Sequence, residues 1–542
     1  MLALHLLLTS SLAFSPAAAT QAPEARILLE SGQTLGVEGT VTRIWGLDLG
    51  SGRRWAAGVD LERPEGGGAA ALVLDGHVLI VSGGVAAGGE RVAAVAGIQL
   101  GLDDGPLLQY LVPAPPGEVG FRGRLSIGRT VLLRDGQLLD LQGRPNVSRL
   151  ERILSFDAQG SWLLVTAVVR TGNAEAREAA LRFHVEDGVI DQTELLAEHG
   201  SNAGALQHTI DEFLPAMDVA EDGGTALSFR VLQGVENATA GLHDLAPRFE
   251  SGTLAPQGVG AWECVNPRVA CASGGRLVIG GSVMAGDFLG IVANTSEVLA
   301  LEGSPHPAVP SEVVGPFIET EVGVTESGEA AFTVPLASGG ELLTLGDQVL
   351  LRASVSAVES RVVRRICWQE HGSLAVAPHG DRLLVKLELE PGVEAVVELE
   401  PNLGQPGPCG AAPNSTGQAG VLFGTGSGFV EFNAVRLRGA QLPPDAFGLI
   451  LASRTPSYLP NPGGSAGALC LGGSIGRLLP GVQADASGAL MADVDLGSIV
   501  QPTGTVGIQP GETWHFQLWY RDVAASGSVT SNFSTSLRID FD

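Results

Sequence analysis

The sequence predicts an all-β protein, because its glycines are spread along the chain, its apolar segments are short, and its turns recur. Of 542 residues, 75 are Gly and 31 are Pro, which indicates many turns between short strands. Hydrophobic residues make up 44% of the chain, which is enough for a well-packed interior. Since the chain is longer than one core normally fills, we expect two folding units or a repeat architecture.

A repeated unit predicts the architecture. Its clearest copy is VGVTESGEAAFTVPL at 322–336, in which two apolar strands flank a polar turn that ends in Gly. Copies recur about every 50 to 60 residues, the period of a four-stranded blade. The seven turn glycines are Gly52, Gly105, Gly160, Gly223, Gly274, Gly328 and Gly380. We therefore predict a seven-bladed β-propeller over residues 25–400.

The seventh repeat predicts how the ring closes. It supplies strands at 373–377, 382–390 and 393–400 but no fourth strand. An isolated strand, ARILLES at 25–31, precedes the first repeat. Because an open ring would expose a sheet edge, we predict that residues 25–31 pair with the end of the seventh repeat.

Asp-Gly pairs predict the outer hairpin of several repeats. A type I′ turn needs positive φ at both central residues, which Asp-Gly tolerates. The pairs are Asp75-Gly76, Asp135-Gly136 and Asp187-Gly188 in the first three repeats, with Gly346-Asp347 in the sixth. Inner strands such as 162–169 are almost continuously apolar, as expected when both faces are covered.

A second domain is predicted after the repeats. Residues 401–417 are rich in Pro, Gly, Asn and Ser and predict a linker. Residues 418–542 contain short alternating strands, which predict a small antiparallel β-sandwich. In WHFQLWYR, one face carries Trp514, Phe516, Leu518 and Tyr520, and the other carries His515, Gln517, Trp519 and Arg521.

Three motifs in this region resemble a C-terminal module of secreted proteins from planctomycetes and related bacteria. They are PNSTG at 413–417, NPGGSAGALCLGGSIGR at 461–477, and GETWHFQLWYRD at 511–522. The repeats are similar to the β-propellers that carry such modules, with Gly328 to Phe332 as the best match. The resemblance implies the architecture and a secreted protein, and no established activity for the module.

The N-terminus and the cysteines predict export. Residues 1–19 combine a Leu-rich apolar segment with small residues, as in a secretory signal peptide; a retained membrane anchor is the alternative. In an oxidising compartment we expect Cys409 to pair with Cys470, since both lie in the C-terminal module. A local Cys264–Cys271 disulfide would leave Cys367 as a buried thiol.

Charge limits the partners. The formal net charge of -27 would repel nucleic acid and anionic lipid. After residue 19 no apolar run is long enough to span a bilayer, so we expect a soluble, monomeric mature chain. The single lysine, Lys386, is predicted to point outward from its strand.

Candidate reactive motifs do not predict catalysis. Gly472 to Gly476 and Gly463 to Gly467 match G-x-S-x-G, but no helix follows either Ser, as a nucleophile elbow requires. Paired acids at 103–104 and 221–222 are expected to be solvated rather than to bind Ca²⁺. His379 and His515 have no partner motif. No catalytic residue, metal ligand or cofactor is assigned.

The sequence therefore favours an extracellular or cell-surface binding protein over an enzyme. The propeller would be the binding platform, and Trp519 and Arg521 could bind a glycan on the sandwich. The alternative is a secreted hydrolase or lyase that acts on polysaccharide, with two acids, or a His and an acid, at the mouth of the central channel. A third hypothesis makes the C-terminal module an attachment device that carries the propeller.

Overall fold

The structure is a computed structural model that describes residues 23–541, except 51–53, 87–88, 103–104, 129, 142–146, 203–208, 234–235, 245, 264–266, 327, 347, 368–371, 378–379, 408, 427, 429, 431–432, 434 and 525–526. The described residues form β-strands, loops and short 3-10 turns, such as Pro256–Gly258 and Pro462–Gly464, with no α-helix among them. The all-β prediction is confirmed. The chain divides into an N-terminal unit, Glu24–Pro401, and a C-terminal unit, Asn402–Asp542.

The described part of the N-terminal unit contains seven antiparallel sheets of four or more strands, which follow one another along the chain, and one two-stranded sheet. After β1 (Glu24–Glu30), sheet 1 holds β2 (Thr34–Leu35), β3 (Gly39–Leu49), β4 (Trp55–Glu62), β5 (Gly68–Leu74) and β6 (His77–Val81). Sheet 2 holds β7 (Ala94–Gln99), β8 (Leu107–Pro113), β9 (Phe121–Ile127) and β10 (Thr130–Arg134). Sheet 3 holds β11 (Leu138–Leu139), β12 (Ser148–Gln159), β13 (Trp162–Thr171), β14 (Arg177–Glu186) and β15 (Val189–Glu198).

The remaining sheets of this unit are also antiparallel, and in two of them one strand has two partners on the same side. Sheet 4 holds β16 (Thr209–Val219), β17 (Thr225–Gln233), β18 (Glu236–His243) and β19 (Ala246–Glu250). Sheet 5 holds β20 (Ala261–Trp262), β21 (Arg268–Ala272), β22 (Arg276–Met284), β23 (Phe288–Asn294) and β24 (Val298–Leu301). A hairpin, β25 (Pro305–His306) and β26 (Val309–Val313), precedes sheet 6, which holds β27 (Val322–Val324), β28 (Ala330–Pro335), β29 (Glu341–Leu345) and β30 (Gln348–Arg352). Sheet 7 holds β31 (Ala357–Val358), β32 (Arg361–Ile366), β33 (Leu374–Val376), β34 (Leu383–Leu389) and β35 (Val393–Glu400).

Inner strands of successive sheets contact each other. Strand β12 contacts β16, β16 contacts β21, β21 contacts β27, and β27 contacts β33. Strand β3 contacts both β33 and β7, so the first sheet lies between the second and the last. Strand β7 reaches β12 where the backbone of Gly97 lies against the Phe156 ring. These contacts form a continuous circuit.

Burial explains the missing alternation in the apolar strands. On β13, Leu163 and Val165 pack into one hydrophobic cluster, whereas Leu164 between them packs with Ile210 and Phe229 of sheet 4. Leu163, Leu164 and Val165 are all fully buried. Each face of the sheet therefore meets a different neighbour, and both faces need apolar side chains.

Strand β1 completes sheet 7, as the sequence predicts. It pairs antiparallel with β35, with Ile27 opposite Val397 and Leu29 opposite Val396. Leu29 is fully buried. The first described strand therefore covers an edge that the seventh repeat would otherwise leave open.

The Asp-Gly predictions are confirmed at two positions. Asp75 and Asp187 have φ values of 50° and 51°, and each is followed by a Gly with positive φ in the predicted hairpin. Asp135-Gly136 was misplaced, because this turn connects β10 to β11 rather than closing the hairpin of β9 and β10. Gly346 follows β29 as predicted, while Asp347 lies outside the described residues.

Lys386 corrects the prediction of an outward-pointing side chain. It is 2% exposed, its Nζ donates to the Ile44 carbonyl at 2.8 Å, and it lies 3.2 Å from Glu394 Oε1. Burial of an ammonium group is tolerated here because an anion and a carbonyl meet it. Residues 1–19 lie outside the described part. Within that part, no helix has the length and hydropathy required to cross a bilayer.

The C-terminal unit is built from two larger sheets and two hairpins. The five-stranded sheet has the order β36 (Gln405–Pro406), β47 (Val529–Asp540), β46 (Thr513–Val523), β39 (Phe447–Ser453), β42 (Gly476–Gln483). The three-stranded sheet has the order β37 (Val421–Gly426), β38 (Val435–Ala440), β43 (Leu490–Val494). The hairpins are β40 (Thr455–Pro460) with β41 (Ala468–Gly472), and β44 (Ile499–Gln501) with β45 (Gly504–Val506). Strand β46 contributes the predicted core face, since Trp514, Phe516, Leu518 and Tyr520 are fully buried with Leu437 of β38.

Residues 402–417 correct the prediction of a linker. They belong to the C-terminal unit, where Gln405 pairs with Arg538 of β47. Cys409 forms a disulfide with Cys470, the pair preferred from the sequence. Their Pro and Gly content prevents long regular strands, yet a disulfide and side-chain hydrogen bonds fasten the segment.

The second predicted disulfide is not formed by Cys271. Cys271 is a free, buried thiol, and Cys264 lies outside the described residues. Cys367 is a buried thiol, in agreement with its prediction.

Candidate functional site

The two residues predicted to bind a ligand, Trp519 and Arg521, have different surroundings. Trp519 is partly buried and packs against Leu451, Leu471 and Phe533. Arg521 is exposed, with its guanidinium carbon 5.8 Å from the centre of the Phe447 ring. Glycan binding at these residues stays a prediction.

The described Ser and His residues of the candidate reactive motifs lie in turns and strands of the C-terminal unit. Ser474 lies in the turn between β41 and β42, so a strand rather than a helix follows it. Ser465 lies in a turn and donates to the Gly467 carbonyl at 3.0 Å. His515 is buried on β46, and burial lowers its pKa. His379 lies outside the described residues.

Of the acidic pairs predicted in turns, Asp222 forms hydrogen bonds with the backbone. Asp222 accepts hydrogen bonds from Gly224 N at 3.0 Å and from Gly274 N at 2.9 Å, and so connects sheets 4 and 5. Residues 103–104 lie outside the described part of the chain. Among the described residues, no three His, Cys, Asp or Glu side chains are grouped so that they could hold a metal ion.

Hydrogen bonds connect the third motif of the C-terminal module to each of the other two motifs. Asp522 of the third motif accepts from Ser415 N of the first at 3.0 Å. Gln517 of the third motif accepts from Cys470 N of the second at 2.8 Å. The fully buried Asn532 donates to Asp522 at 3.4 Å. The motif residues therefore hold the fold together, because buried polar groups require such partners.

A cavity of about 490 Å³ lies where the inner strands of the N-terminal unit meet. All seven sheets line it, through residues 45–49, 96–99, 154–159, 217–220, 269–271, 321–324 with Glu326, and Gly372 with 374–376. The volume falls within the range of small-molecule sites. This cavity, called the central cavity below, is the candidate functional site.

Three aspartates enter the central cavity from equivalent positions. Asp48, Asp157 and Asp218 lie near the ends of β3, β12 and β16 and are opposite Ala56, Leu164 and Ala226 in their sheets. A β-bulge precedes each of them, at Trp45/Leu47, Ile153/Ser155 and Phe213/Met217. Because a bulge changes which side chains face a given side, it re-aims the rest of the strand.

Each aspartate is held by a backbone N–H of the next sheet. Asp48 accepts from Leu100 N. Asp157 Oδ2 accepts from Val219 N at 2.9 Å, and Asp218 Oδ2 accepts from Cys271 N at 2.6 Å. All three remain partly exposed to the cavity. The carboxyl groups are therefore fixed in position before any ligand arrives.

The carboxyls of Asp157 and Asp218 form a direct pair. Val219 N donates to both, at 2.9 Å to Asp157 Oδ2 and at 3.0 Å to Asp218 Oδ1. Burial, the charge of Asp157 and a hydrogen bond to Asp157 raise the pKa of Asp218 well above its usual value. A proton shared between two adjacent carboxyls relieves their repulsion.

Burial and the nearby carboxyl groups also raise the pKa values of Asp48 and Cys271. Burial, opposed by the Leu100 N–H and reinforced by the charge of Asp157, raises the pKa of Asp48 to about 7. Burial and the negative charges of Asp218 and Asp157 raise the pKa of the Cys271 thiol well above its usual value. Cys271 is therefore not an activated nucleophile.

The rest of the lining combines amides and aromatic rings with two further acids. Glu321 lies 3.1 Å from Arg268 Nε, and Glu326 accepts from Ser273 N at 3.0 Å. Gln99, Gln109 and Gln159 contribute carboxamides, and Trp45 and Phe156 contribute rings. Among the described residues, no Lys, Arg or His side chain lines the cavity.

Sequence reasoning missed these aspartates, although a signal was present. Each stands near the end of an apolar inner strand, in GLDLG, SFDAQG and AMDVAEDG. Aligning the repeats on their inner strands would have placed the three acids together. Aligning them on the turn glycines does not, because the distance from Asp to Gly varies.

No protein-family model matches this chain, and no curated protein matches it. Among solved structures, the chain is similar to the polysaccharide lyase Uly1, with 12% identity over 71% of this chain and 94% of that one and a TM-score of 0.35. It is also similar to a subtype N11 neuraminidase-like protein of A/flat-faced bat/Peru/033/2010 (H18N11), with 8% identity over 70% and 94% and a TM-score of 0.28. The WD40 domain of SCAP from fission yeast gives 10% identity over 96% and 91% and a TM-score of 0.25. Because every TM-score is below 0.5, neither fold nor function is taken from these proteins.

Proposed function

We propose that this protein is an exported binding protein that holds a small polar ligand in the central cavity of a seven-bladed β-propeller. The observation that carries the proposal is the convergence of Asp48, Asp157 and Asp218 on one cavity from three different sheets. Backbone N–H groups hold all three carboxyls in place. Preorganised polar groups in a cavity of this size are typical of small-molecule sites.

The contacts between sheets support the propeller. In this proposal the seven sheets are the blades, the circuit of inner strands surrounds the channel, and β1 seals the ring through β35. The two larger sheets of the C-terminal unit, with the Trp514 face between them, would form the sandwich.

Export and attachment complete the proposal. The signal-like residues 1–19 and the Cys409–Cys470 disulfide are typical of an exported chain. The similarity of its motifs to the planctomycete-type secreted module supports a related origin. The C-terminal unit would then attach the propeller to the cell surface or to a partner.

The cavity is less compatible with cleavage of polysaccharide by a hydrolase or lyase. Glycosidases place their two carboxyls about 5 Å or more apart, so that a sugar or a water fits between them. Asp157 and Asp218 are hydrogen-bonded to each other and to one N–H, which leaves no such gap. We therefore assign the pair to binding.

Filling the cavity tests the proposal. Ala96 is exposed on β7 and lines the cavity, so Ala96→Trp places a ring in the site without entering the core. Ala174→Trp adds the same ring to an exposed turn after β13 and is the matched control. The full mature chain is screened by thermal shift against sugars, polyols, amines and amino acids.

We expect at least one of these classes to raise the Tm of the wild type and of Ala174→Trp but not of Ala96→Trp. A ligand at 100 times its Kd stabilises by about 2.7 kcal/mol, which such a screen detects. A ligand that binds Ala96→Trp as well as the wild type would place its site elsewhere. No response to any class would overturn the proposal.

A further inference from the structure

The charges around the central cavity select among polar ligands. Five acidic side chains line it, and no basic side chain among the described residues does. Of these acids, Glu321 has a cationic neighbour in Arg268. Burial is the main cause of the raised pKa of Asp48, and the negative charge of Asp157 adds to it. A cationic ligand would neutralise this environment, whereas an anion would be repelled.

Aromatic side chains favour an organic cation. Trp45 and Phe156 line the cavity together with the acids. The Trp45 indole is held by a 3.2 Å hydrogen bond from Nε1 to Asp60 Oδ1, which fixes the position of its ring. Aromatic rings attract ammonium groups through their quadrupole, and ring-lined pockets bind quaternary ammonium ligands.

A buried carboxamide supplies an independent sign of a ligand. Gln109 lines the cavity and is 6% exposed. Within the described part of the chain, its carboxamide has no hydrogen-bond partner. The place of a Cβ on Gly97 would be 3.8 Å from Gln109 Oε1 and 2.9 Å from Phe156, so the amide lies beside this ring. This carboxamide can therefore donate to and accept from a ligand in the cavity.

The arrangement does not suit a metal ion. A divalent cation requires several oxygens within about 2.5 Å, and no described group of three ligands could provide them. Each carboxyl accepts from a backbone N–H of a neighbouring sheet, and Val219 N also donates to both Asp157 and Asp218, so the three carboxyls are held in place and do not close around a small ion. A larger cation can reach them without such closure.

We propose that the central cavity binds a small organic ammonium ion, which pairs with the Asp157–Asp218 carboxyls and contacts Phe156 and Gln109. This inference rests on the proposed function and names its ligand class. On binding, the ion displaces the proton that the two carboxyls share, and that proton leaves to solvent. Affinity therefore rises with pH until the site is deprotonated.

The test uses probes that match in size and differ in charge. n-Butylammonium, tetramethylammonium, 1-butanol and butyrate are titrated into the full mature chain by calorimetry, at pH 5.5 and 8. We expect one or both ammonium ions to bind, with Kd lower at pH 8 by about 10-fold or more and with proton release at the lower pH. 1-Butanol and butyrate should not bind.

Isosteric variants locate the site. Asp218→Asn keeps the acceptor for Cys271 N and should weaken ammonium binding by about 10-fold or more. Gln109→Leu should weaken it less, and it serves as the second variant if Asp218→Asn does not fold. Glu65→Gln, in an exposed turn, changes the net charge equally and should leave Kd unchanged.

Two results would overturn the ammonium proposal. One is equal binding of 1-butanol and n-butylammonium, and the other is unchanged ammonium binding by Asp218→Asn. If a neutral sugar or polyol binds the wild type but not Ala96→Trp, the cavity remains the ligand site and only the ammonium assignment is wrong. If Ala96→Trp binds every ligand normally, the proposed function fails as well.

Discussion

Arg382 and Glu398 form a buried ion pair, with 3.1 Å between Nη1 and Oε1. The pair lies where the last sheet of the N-terminal unit meets the first sheet and β1, a region called the seam below. Their side chains are only 6% and 3% exposed. Arg382 Nη2 also donates to the Gly50 carbonyl at 2.9 Å, and Glu398 Oε2 accepts from Arg26 of β1 at 2.7 Å. The pair thus ties the last sheet both to the first sheet and to the first described strand.

We predict that Arg382→Met lowers the free energy of unfolding by about 3 kcal/mol. The variant leaves the Glu398 carboxylate buried with one partner removed, which is costly in a protein interior. Urea unfolding of the full chain measures the change. Arg54→Met is the control, because Arg54 and Asp75 form an exposed pair worth about 1 kcal/mol or less. Equal losses in both variants would show that the seam has no special role.

Lys386 provides a chemical probe of the same seam. It is the single lysine of the chain, so an amine-reactive reagent can modify only this side chain and the α-amino group. Because its Nζ is buried against Ile44 and Glu394, we expect the native protein to be modified at the α-amino group alone. Mass spectrometry of the peptide that contains Lys386 measures the rate.

The labelling rate should rise when the seam is weakened. We expect Arg382→Met to accelerate modification of Lys386, whereas Arg54→Met should not. Modification of native Lys386 at the rate of an exposed lysine would contradict the burial described here.

Local patterns predicted much of this fold. The hairpin turns at Asp75 and Asp187, the apolar strand at 162–169 and the core face of β46 depend on neighbours in the chain, so sequence reveals them. The pairing of β1 with β35 could also be predicted, because the seventh repeat lacked one strand.

Contacts between residues that are far apart in the sequence could not be predicted in the same way. Lys386 reads as an exposed residue until Glu394 and the Ile44 carbonyl are placed beside it, and Ile44 lies more than 300 residues away. The meeting of Asp157 and Asp218 depends on bulges in two strands, and bulges leave little trace in sequence. The direct contact between the two carboxyls could therefore not be predicted, although the position of each Asp near the end of an apolar inner strand can be found in the sequence.

The Cys409–Cys470 disulfide should stabilise the C-terminal unit. It joins residues 61 apart, and loop-closure entropy gives about 4 kcal/mol for a loop of this length. We predict that Cys409→Ser/Cys470→Ser lowers the protection of β46 amides in hydrogen exchange by about 2–4 kcal/mol. A reductant should have the same effect on the wild type and none on the double variant. A reductant that destabilises the double variant equally would contradict this prediction.

Asp48 should make stability depend on pH in a defined window. Burial raises the pKa of Asp48 from its usual value of 3.8 to about 7, so the folded chain keeps this proton at pH values where the unfolded chain loses it. The resulting stabilisation is fully present below about pH 4 and is lost as pH rises to about 7. Asp48→Asn keeps an acceptor for Leu100 N but does not titrate.

We therefore predict that Asp48→Asn gains stability relative to the wild type as pH rises from 4 to 8. Three pH units correspond to a gain of at most about 4 kcal/mol, and partial exposure to the cavity reduces this to about 2 kcal/mol. Urea unfolding at pH 4, 6 and 8 measures the difference. Glu65→Gln, which removes one carboxylate from an exposed turn, is the charge-matched control. Parallel pH profiles for Asp48→Asn and the wild type would mean that this carboxyl ionises in the cavity as freely as in water.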